Sequence, residues 1–344
     1  MTMMINFLYI LSIVTSLVSC QGIGSVDKGK LVKKNTSDTL APKVKQEKIV
    51  EVLDSAAYRA KILHMLNGDS SGKWFKNGPY PLPGAILPNK RIVAYYGNLY
   101  STRMGILGEL PKPQMFAKLQ SEIAKWELAD PQTPVQPALH YIAVTAQGSA
   151  GADGMYRLRM PFNQIDKVIK MADEINAIVF LDVQVGLSTV QKELPNFKDY
   201  LKRPNIHFGI DPEFSMKTGD KPGSVIGSLD ATDINYIIDY LATLVKENNL
   251  PPKVFVVHRF TQGMITNAKL IKKVPEVQLV MHMDGWGHPS QKIDSYKYFI
   301  CKEPVMFTGF KLFYKNDLKN VPHQLMTPTD LIKLKPRPVY IQYQ

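Results

Sequence analysis

The chain has 344 residues, of which 45% are hydrophobic and 21% are charged. This composition is typical of a globular protein and excludes a disordered, collagen-like or disulfide-scaffold chain. The 42 basic residues exceed the 30 acidic ones and give a formal net charge of +12. However, no clustered Arg/Lys face with interleaved aromatic residues is present, so we expect no nucleic-acid partner. The length suits one large α/β domain or two medium ones.

The N-terminal segment combines a short apolar run with a cysteine. Residues 5–18 form a mainly apolar run, too short to span a membrane and typical of the hydrophobic region of a signal peptide. The run ends in Leu17-Val18-Ser19-Cys20, which resembles the bacterial lipobox. The resemblance implies a signal peptide over residues 1–19, lipidation of Cys20 and a membrane-anchored lipoprotein of the cell envelope, periplasmic or surface-exposed. The alternative is a cleaved signal peptide with an incidental cysteine.

Two further segments precede the main domain. Residues 20–46 are rich in Gly, Ser, Thr, Lys and Asn, which predicts a flexible, solvated tether. Across residues 47–67, apolar side chains recur at three- and four-residue steps and predict an amphipathic helix. With the Pro/Gly-rich loop that follows, this helix makes up an N-terminal segment over residues 47–90.

From residue 91 to residue 344, short β-rich runs alternate with helical patterns. The predicted strands are Arg91–Gly97, Ala138–Gln147, Ala177–Gly186, Asn205–Phe214, Lys253–Phe260, Val277–Gly285, Val305–Tyr314 and Pro338–Gln344. The clearest helix is Ala231–Asn249, with Asp230 as its N-cap and Pro251 after its end. Strands that alternate with helices imply a parallel sheet.

Eight strand–helix units in about 250 residues predict a single α/β domain, a (β/α)8 TIM barrel. A doubly wound open sheet is the alternative, although the first strand lacks the Gly-rich phosphate turn with which such sheets usually begin. Because the chain stops on the eighth strand, we expect the helix within residues 47–67 to take the place of the eighth helix.

Polar side chains gather at the C-terminal ends of the predicted strands, where TIM-barrel enzymes have their active sites. The candidate site residues are Tyr96, Gln147, Asp182, Gln184, Asp211, Glu213, His258, His282, Asp284, Trp286, Lys311 and Gln342. Period-two alternation places His207, Asp211 and Glu213 on one face of the fourth strand, and Phe208 on the other. Several carboxylates buried together are costly unless they are paired or take part in chemistry.

Paired carboxyl groups of this kind are what glycoside hydrolysis requires, because one protonates the leaving oxygen while a second group acts as nucleophile, base or stabiliser. Glu213 is the predicted proton donor, since Phe214 beside it favours a raised pKa. Asp211, Asp284 and Asp182 are the other predicted catalytic residues. The predicted substrate-binding residues are Tyr96, Gln147, Gln184, His258, His282, Trp286, Lys311 and Gln342. This interpretation involves a carbohydrate substrate and neither a cofactor nor a metal.

Three segments resemble the family-18 glycoside hydrolases, the chitinase-like barrels. Arg91–Gly97 (RIVAYYG) is similar to the first strand of that family, Gly209–Phe214 (GIDPEF) to the end of its fourth-strand signature, and Val280–Asp284 (VMHMD) to its sixth strand. The resemblance implies that Glu213 is the general acid/base, that Asp211 orients a substrate acetamide and that Asp284 is a supporting acid.

The sequence departs from the family-18 pattern at several positions. Ile206 and Gly209 occupy the first two Asp positions of the signature, and Met283 occupies the Tyr position of the sixth strand. If Asp284 or Asp182 faces Glu213 across the barrel mouth, a direct two-carboxylate mechanism replaces the substrate-assisted one.

Two other classes of function remain open. In a metal-dependent hydrolase, His258 and His282 bind a metal together with Asp211, Asp182 or Asp284, and metal-bound water is the nucleophile. In a non-catalytic module, the anchored barrel binds a surface glycan or a partner protein. No motif supports a redox or nucleotide-binding enzyme.

Overall fold

The computed structural model describes residues 54–74, 79–319 and 321–344. The signal peptide, Cys20 and the tether lie outside these residues. Eight parallel strands form the barrel: β1 Arg91–Gly97, β2 Val135–Ala146, β3 Ile178–Val183, β4 Ile206–Ile210, β5 Lys253–Arg259, β6 Val277–Met283, β7 Phe307–Leu312 and β8 Tyr340–Tyr343. Each strand pairs with the next, and β1 also pairs with β8, which closes the sheet. The predicted (β/α)8 barrel is therefore confirmed.

The first of the described helices precedes β1, and the others lie between the strands. The helices are α1 Ser55–Leu66, α2 Ile106–Glu109, α3 Lys112–Ala129, α4 Phe162–Asp173, α5 Val190–Glu193, α6 Lys198–Leu201, α7 Ala231–Asn248, α8 Pro289–Ser295 and α9 Pro328–Leu331. Between β5 and β6, the alternation is interrupted, because this segment contains the 3-10 turns Gln262–Met264 and Ala268–Leu270 in place of an α-helix. Among the described helices, none is both long and apolar enough to cross a membrane.

Helix α7 shows how local sequence sets an element's bounds. The Asp230 side chain accepts a hydrogen bond from the Thr232 backbone, and the Asp233 side chain accepts one from the Asp230 backbone, which completes a capping box. Asn249 ends the helix in the left-handed conformation. The predicted helix is confirmed to within one residue.

Strand β4 is shorter than predicted and stops at Ile210. Pro212 has no backbone N–H to donate to a neighbouring strand, and the chain turns into the 3-10 turn Pro212–Phe214. The Asp211 side chain caps this turn by accepting a hydrogen bond from the Glu213 backbone N–H at 3.2 Å. Glu213 therefore lies on a turn above the strand, not on the strand itself.

The two faces of the strands differ as the alternation predicts. On β4, His207 packs on Phe180 inside the barrel, with ring centroids 5.3 Å apart, while Phe208 packs on Phe255 on the outer face, at 6.0 Å. Inside the barrel, polar side chains approach the backbone closely at Gly209, where a Cβ atom would lie 2.5 Å from Asp182 Oδ1. A larger residue at Gly209 would displace that carboxylate.

Helix α1 packs at the N-terminal end of the barrel. Asn67, at its C-cap, donates a hydrogen bond to the Ile332 carbonyl at 3.1 Å and accepts one from Arg337 at 2.9 Å, just before β8. His64 contacts Asp130, in the segment that leads to β2, at 2.8 Å. The helix therefore lies beside the start of the eighth strand. The part of the predicted helix over residues 47–53 lies outside the described residues.

Candidate functional site

A cavity of about 460 Å³ opens at the C-terminal ends of the strands. Among the predicted site residues, Tyr96, Gln184, Asp211, Glu213, Asp284, Trp286 and Lys311 line it. Phe260 and Phe313 add apolar wall, and Arg103 lies at its edge. Trp286 has 58% of its surface exposed. The cavity thus combines acidic groups with aromatic side chains.

The other predicted site residues do not line this cavity. Asp182, His258, His282 and Gln342 are fully buried in the barrel interior. They lie beneath the cavity because each precedes, along its strand, the residues that reach the mouth. Gln147 is partly exposed just after β2, where its backbone N–H donates to the Tyr156 carbonyl at 2.8 Å.

Asp182 is the centre of a buried polar network. Its Oδ2 accepts a hydrogen bond from the Tyr96 hydroxyl at 2.9 Å, while its Oδ1 lies 3.2 Å from His140 Nε2 and 3.6 Å from His258 Nε2. Burial would raise the pKa of Asp182, but His258 and His140 lower it below its ordinary value. Asp182 therefore supports the floor of the site as a carboxylate.

Asp284 is held as a carboxylate by Lys311 and His258. Its Oδ1 lies 2.8 Å from Lys311 Nζ, and its Oδ2 lies 2.6 Å from His258 Nδ1. Burial alone would raise the pKa of Asp284, but Lys311 and His258 hold it well below its ordinary value. The Lys311 ammonium also lies 4.0 Å from the centre of the Tyr96 ring, a cation–π contact that supports the buried charge.

Glu213 and Asp211 differ from Asp284 because no cation pairs with them directly in the described structure. Gln184 Nε2 donates to Asp211 Oδ2 at 3.2 Å. Burial raises the pKa of Asp211 to about 7, and Asp284 and Asp182 add to the effect, while His258 and Lys311 oppose it. Burial raises the pKa of Glu213 to about 8, with further increases from Asp211 and Asp284 that Lys311 and His258 partly offset.

His140 and Tyr340 also belong to the polar interior beneath the cavity, although the sequence pattern does not indicate them. His140 Nδ1 lies 2.5 Å from the Tyr340 hydroxyl, which also accepts a hydrogen bond from Gln342 Nε2 at 2.9 Å. Both residues lie within strands, away from the strand ends at which the sequence pattern predicts the site. A usable signal was present, because a histidine in an otherwise apolar strand stands out in the same way as His258 and His282 do.

No protein-family model matches the chain, and no curated protein matches it. Similar solved structures include Thermotoga maritima Cel5A in complex with cellobiose, with 12% identity and a TM-score of 0.37 over 73% of this chain and 88% of that one. A hyperthermophilic endo-β-1,4-glucanase in complex with substrate has 8% identity and a TM-score of 0.32, over 61% of this chain and 77% of that one. The GH5-4 broad-specificity endoglucanase from Clostridium longisporum has 13% identity and a TM-score of 0.34, over 65% of this chain and 75% of that one.

These identities and TM-scores are too low to assign an activity to this chain, and its barrel fold rests on the strand pairing described above. The family-18 resemblance is not shown by these comparisons.

Proposed function

We propose that the barrel binds a carbohydrate in the C-terminal cavity and hydrolyses its glycosidic bonds, with Glu213 as the proton donor. One observation carries the proposal: a single cavity contains a partly buried carboxyl group, Glu213, that has no cationic partner among the described residues, and a carboxylate paired with an ammonium, Asp284. Two carboxyl groups in environments that favour opposite protonation states are the arrangement that acid/base catalysis uses.

The raised pKa of Glu213, about 8, keeps this side chain protonated at neutral pH, so it can donate a proton to the leaving oxygen. Asp284 supplies the negative charge that stabilises the oxocarbenium-like transition state, and water that enters the open cavity then attacks the anomeric carbon and returns a proton to Glu213. Asp211 contributes to the high pKa of Glu213 and, through its contact with the Glu213 backbone, fixes the turn that carries the donor. Trp286 and Phe313 offer apolar surfaces on which sugar rings can stack.

The metal-dependent hydrolase has weaker support. His258 and His282 are fully buried beneath the cavity and are not among its lining residues. A metal-bound water in that position would not reach a substrate in the cavity. The non-catalytic binding module uses the same cavity and differs from the glycosidase only in turnover.

The test is the release of reducing sugar by the purified full chain from a panel of bacterial, plant and animal glycans. Glu213→Gln and a chelator-treated sample are measured alongside. Glu174→Gln is the matched control, because Glu174 is an exposed residue paired with Lys112 on the surface. We expect release that Glu213→Gln abolishes and that Glu174→Gln and chelator leave unchanged. Binding of a glycan without turnover would instead identify a binding module, and activity lost only with chelator would favour the metal-dependent hydrolase.

We also propose that the chain is anchored in the cell envelope through lipidated Cys20. The lipobox-like Leu17–Cys20 segment and the tether-like composition of residues 20–46 support this. The test is the incorporation of labelled palmitate in a bacterial host, followed by membrane fractionation. Cys20→Ser should remove the label and release the protein from the membrane fraction, whereas Cys301→Ser, at the chain's other cysteine, should do neither. Equal labelling of the two variants would contradict the proposal.

A further inference from the structure

Beneath the cavity, three side chains of the kinds that bind metals converge from different strands. They are His140 on β2, Asp182 on β3 and His258 on β5, and each is completely buried. His140 Nε2 lies 3.2 Å and His258 Nε2 lies 3.6 Å from Asp182 Oδ1. Within the described part of the chain, none of these three atoms makes a hydrogen bond of acceptable geometry.

The second ring nitrogen of each of the two histidines makes a contact outside the cluster. His140 Nδ1 contacts the Tyr340 hydroxyl at 2.5 Å, and His258 Nδ1 contacts the Asp284 carboxylate at 2.6 Å. Histidines that bind metals commonly donate their second ring N–H to a carboxylate or another acceptor, which orients the ring and directs the other nitrogen toward the ion. The outer contacts of His140 and His258 are of this kind.

Two of the three distances among the inward atoms fit a small cation, and the third, between the two histidine nitrogens, lies within 4.8 Å. Zinc lies about 2.0–2.2 Å from nitrogen and oxygen ligands, and two such ligands at a tetrahedral angle are therefore about 3.4 Å apart. The distances of 3.2 Å and 3.6 Å in this cluster lie on either side of that value. Gly209 makes the convergence possible, because a Cβ atom there would lie 2.5 Å from Asp182 Oδ1 and 2.6 Å from His140 Nε2.

A fourth polar side chain lies next to the cluster. His282 packs edge-on against His258, with ring centroids 5.1 Å apart. Its two ring nitrogens have no hydrogen-bond partner among residues 54–74, 79–319 and 321–344. Buried polar atoms without a partner are costly, so an ion bound to the inward atoms of His140, Asp182 and His258 would stabilise this interior.

We propose that His140, Asp182 and His258 bind a divalent transition-metal cation of the zinc class, as a structural ion beneath the cavity. Two imidazoles and one carboxylate favour such a cation over Mg²⁺ or Ca²⁺, which prefer sites made of oxygen ligands. The ion would stabilise the barrel interior beneath the cavity, while Lys311 also holds Asp284 at the mouth. The competing occupant is a proton, which would make His258 an imidazolium between Asp182 and Asp284.

The experiment measures bound metal and is independent of glycan hydrolysis. The untagged full chain is equilibrated with Zn²⁺ or Co²⁺ and desalted, and its metal content, thermal stability and visible Co²⁺ spectrum are recorded. We expect roughly one ion per chain, a higher Tm with Zn²⁺ and a Co²⁺ absorption typical of nitrogen and oxygen ligands. His140→Gln should weaken zinc binding at least tenfold.

His207→Gln is the matched control, because His207 is an equally buried histidine of the barrel interior that contacts the Val254 backbone and is not part of the cluster. It should keep the ion. If wild-type protein retains no ion and Zn²⁺ leaves its Tm unchanged, the cluster holds a proton and the proposal is overturned. Equal retention by folded His140→Gln would also overturn it. If His140→Gln does not fold, a wild-type Co²⁺ spectrum without imidazole character decides against the site.

Discussion

Glu213→Gln separates the catalytic and the structural consequences of the proposed proton donor. Burial, Asp211 and Asp284 raise the pKa of Glu213 from its ordinary value of 4.5 to about 8. Between pH 4.5 and about pH 8, the folded state keeps a proton that the unfolded state has released. The free energy of unfolding of the wild type therefore falls as the pH rises. Each pH unit corresponds to about 1.4 kcal/mol. From pH 4.5 to pH 7, the loss amounts to about 3 kcal/mol, an upper limit because the cavity opens to water.

The Gln variant resembles protonated Glu213 at every pH and avoids this loss. We therefore expect wild type and variant to have similar stability near pH 4.5, and the variant to be more stable at pH 7 by up to about 3 kcal/mol, or roughly 5 °C in Tm. Its glycan hydrolysis should fall by about 10²- to 10⁴-fold. Wild-type activity should decline as the pH rises through about 8, because Glu213 then loses its proton.

The assay is urea unfolding and thermal melting from pH 4.5 to pH 8, alongside reducing-sugar release. Glu174→Gln is again the control, because exposed ion pairs such as its pair with Lys112 contribute little to stability. A Gln variant less stable than the wild type at pH 7 would show that Glu213 is an ionised member of a structural ion pair. A stability difference that does not change with pH would refute the raised pKa.

Two further substitutions test the walls of the cavity. Lys311→Met leaves the buried Asp284 carboxylate without its ammonium partner, so we expect the free energy of unfolding measured in urea to fall by about 3–5 kcal/mol. The double variant Lys311→Met/Asp284→Asn should largely recover this stability. A loss below about 1 kcal/mol would mean that the His258 contact alone sustains Asp284. Trp286→Ala removes a mostly exposed ring, so stability should change by less than about 0.5 kcal/mol while KM rises and kcat stays the same. An unchanged KM in a folded Trp286→Ala variant would exclude this ring as a sugar-stacking surface.

Local patterns in the sequence were sufficient to predict the barrel. Period-two alternation and the spacing of eight β-rich runs identified the strands, and Asp230 with Pro251 predicted the bounds of α7 to within one residue. These signals are local because strand alternation and helix caps involve residues only a few positions apart. The end of β4 was the main local error: Pro212 and the Asp211 side chain form a turn that stops the strand before Glu213.

The sequence by itself determined the barrel and the acidic character of its C-terminal end, since each follows from residues close together in the chain. Only the tertiary structure decided which acids share the cavity, which lie beneath it and in which protonation state. Asp284 meets Lys311 and His258 only after the barrel closes, whereas Glu213 receives no such partner in the described structure. A pKa depends on burial and on charges close in space, and residues far apart in the chain supply both. His140 joined the buried cluster for the same reason, because its partners Asp182, His258 and Tyr340 come from other strands.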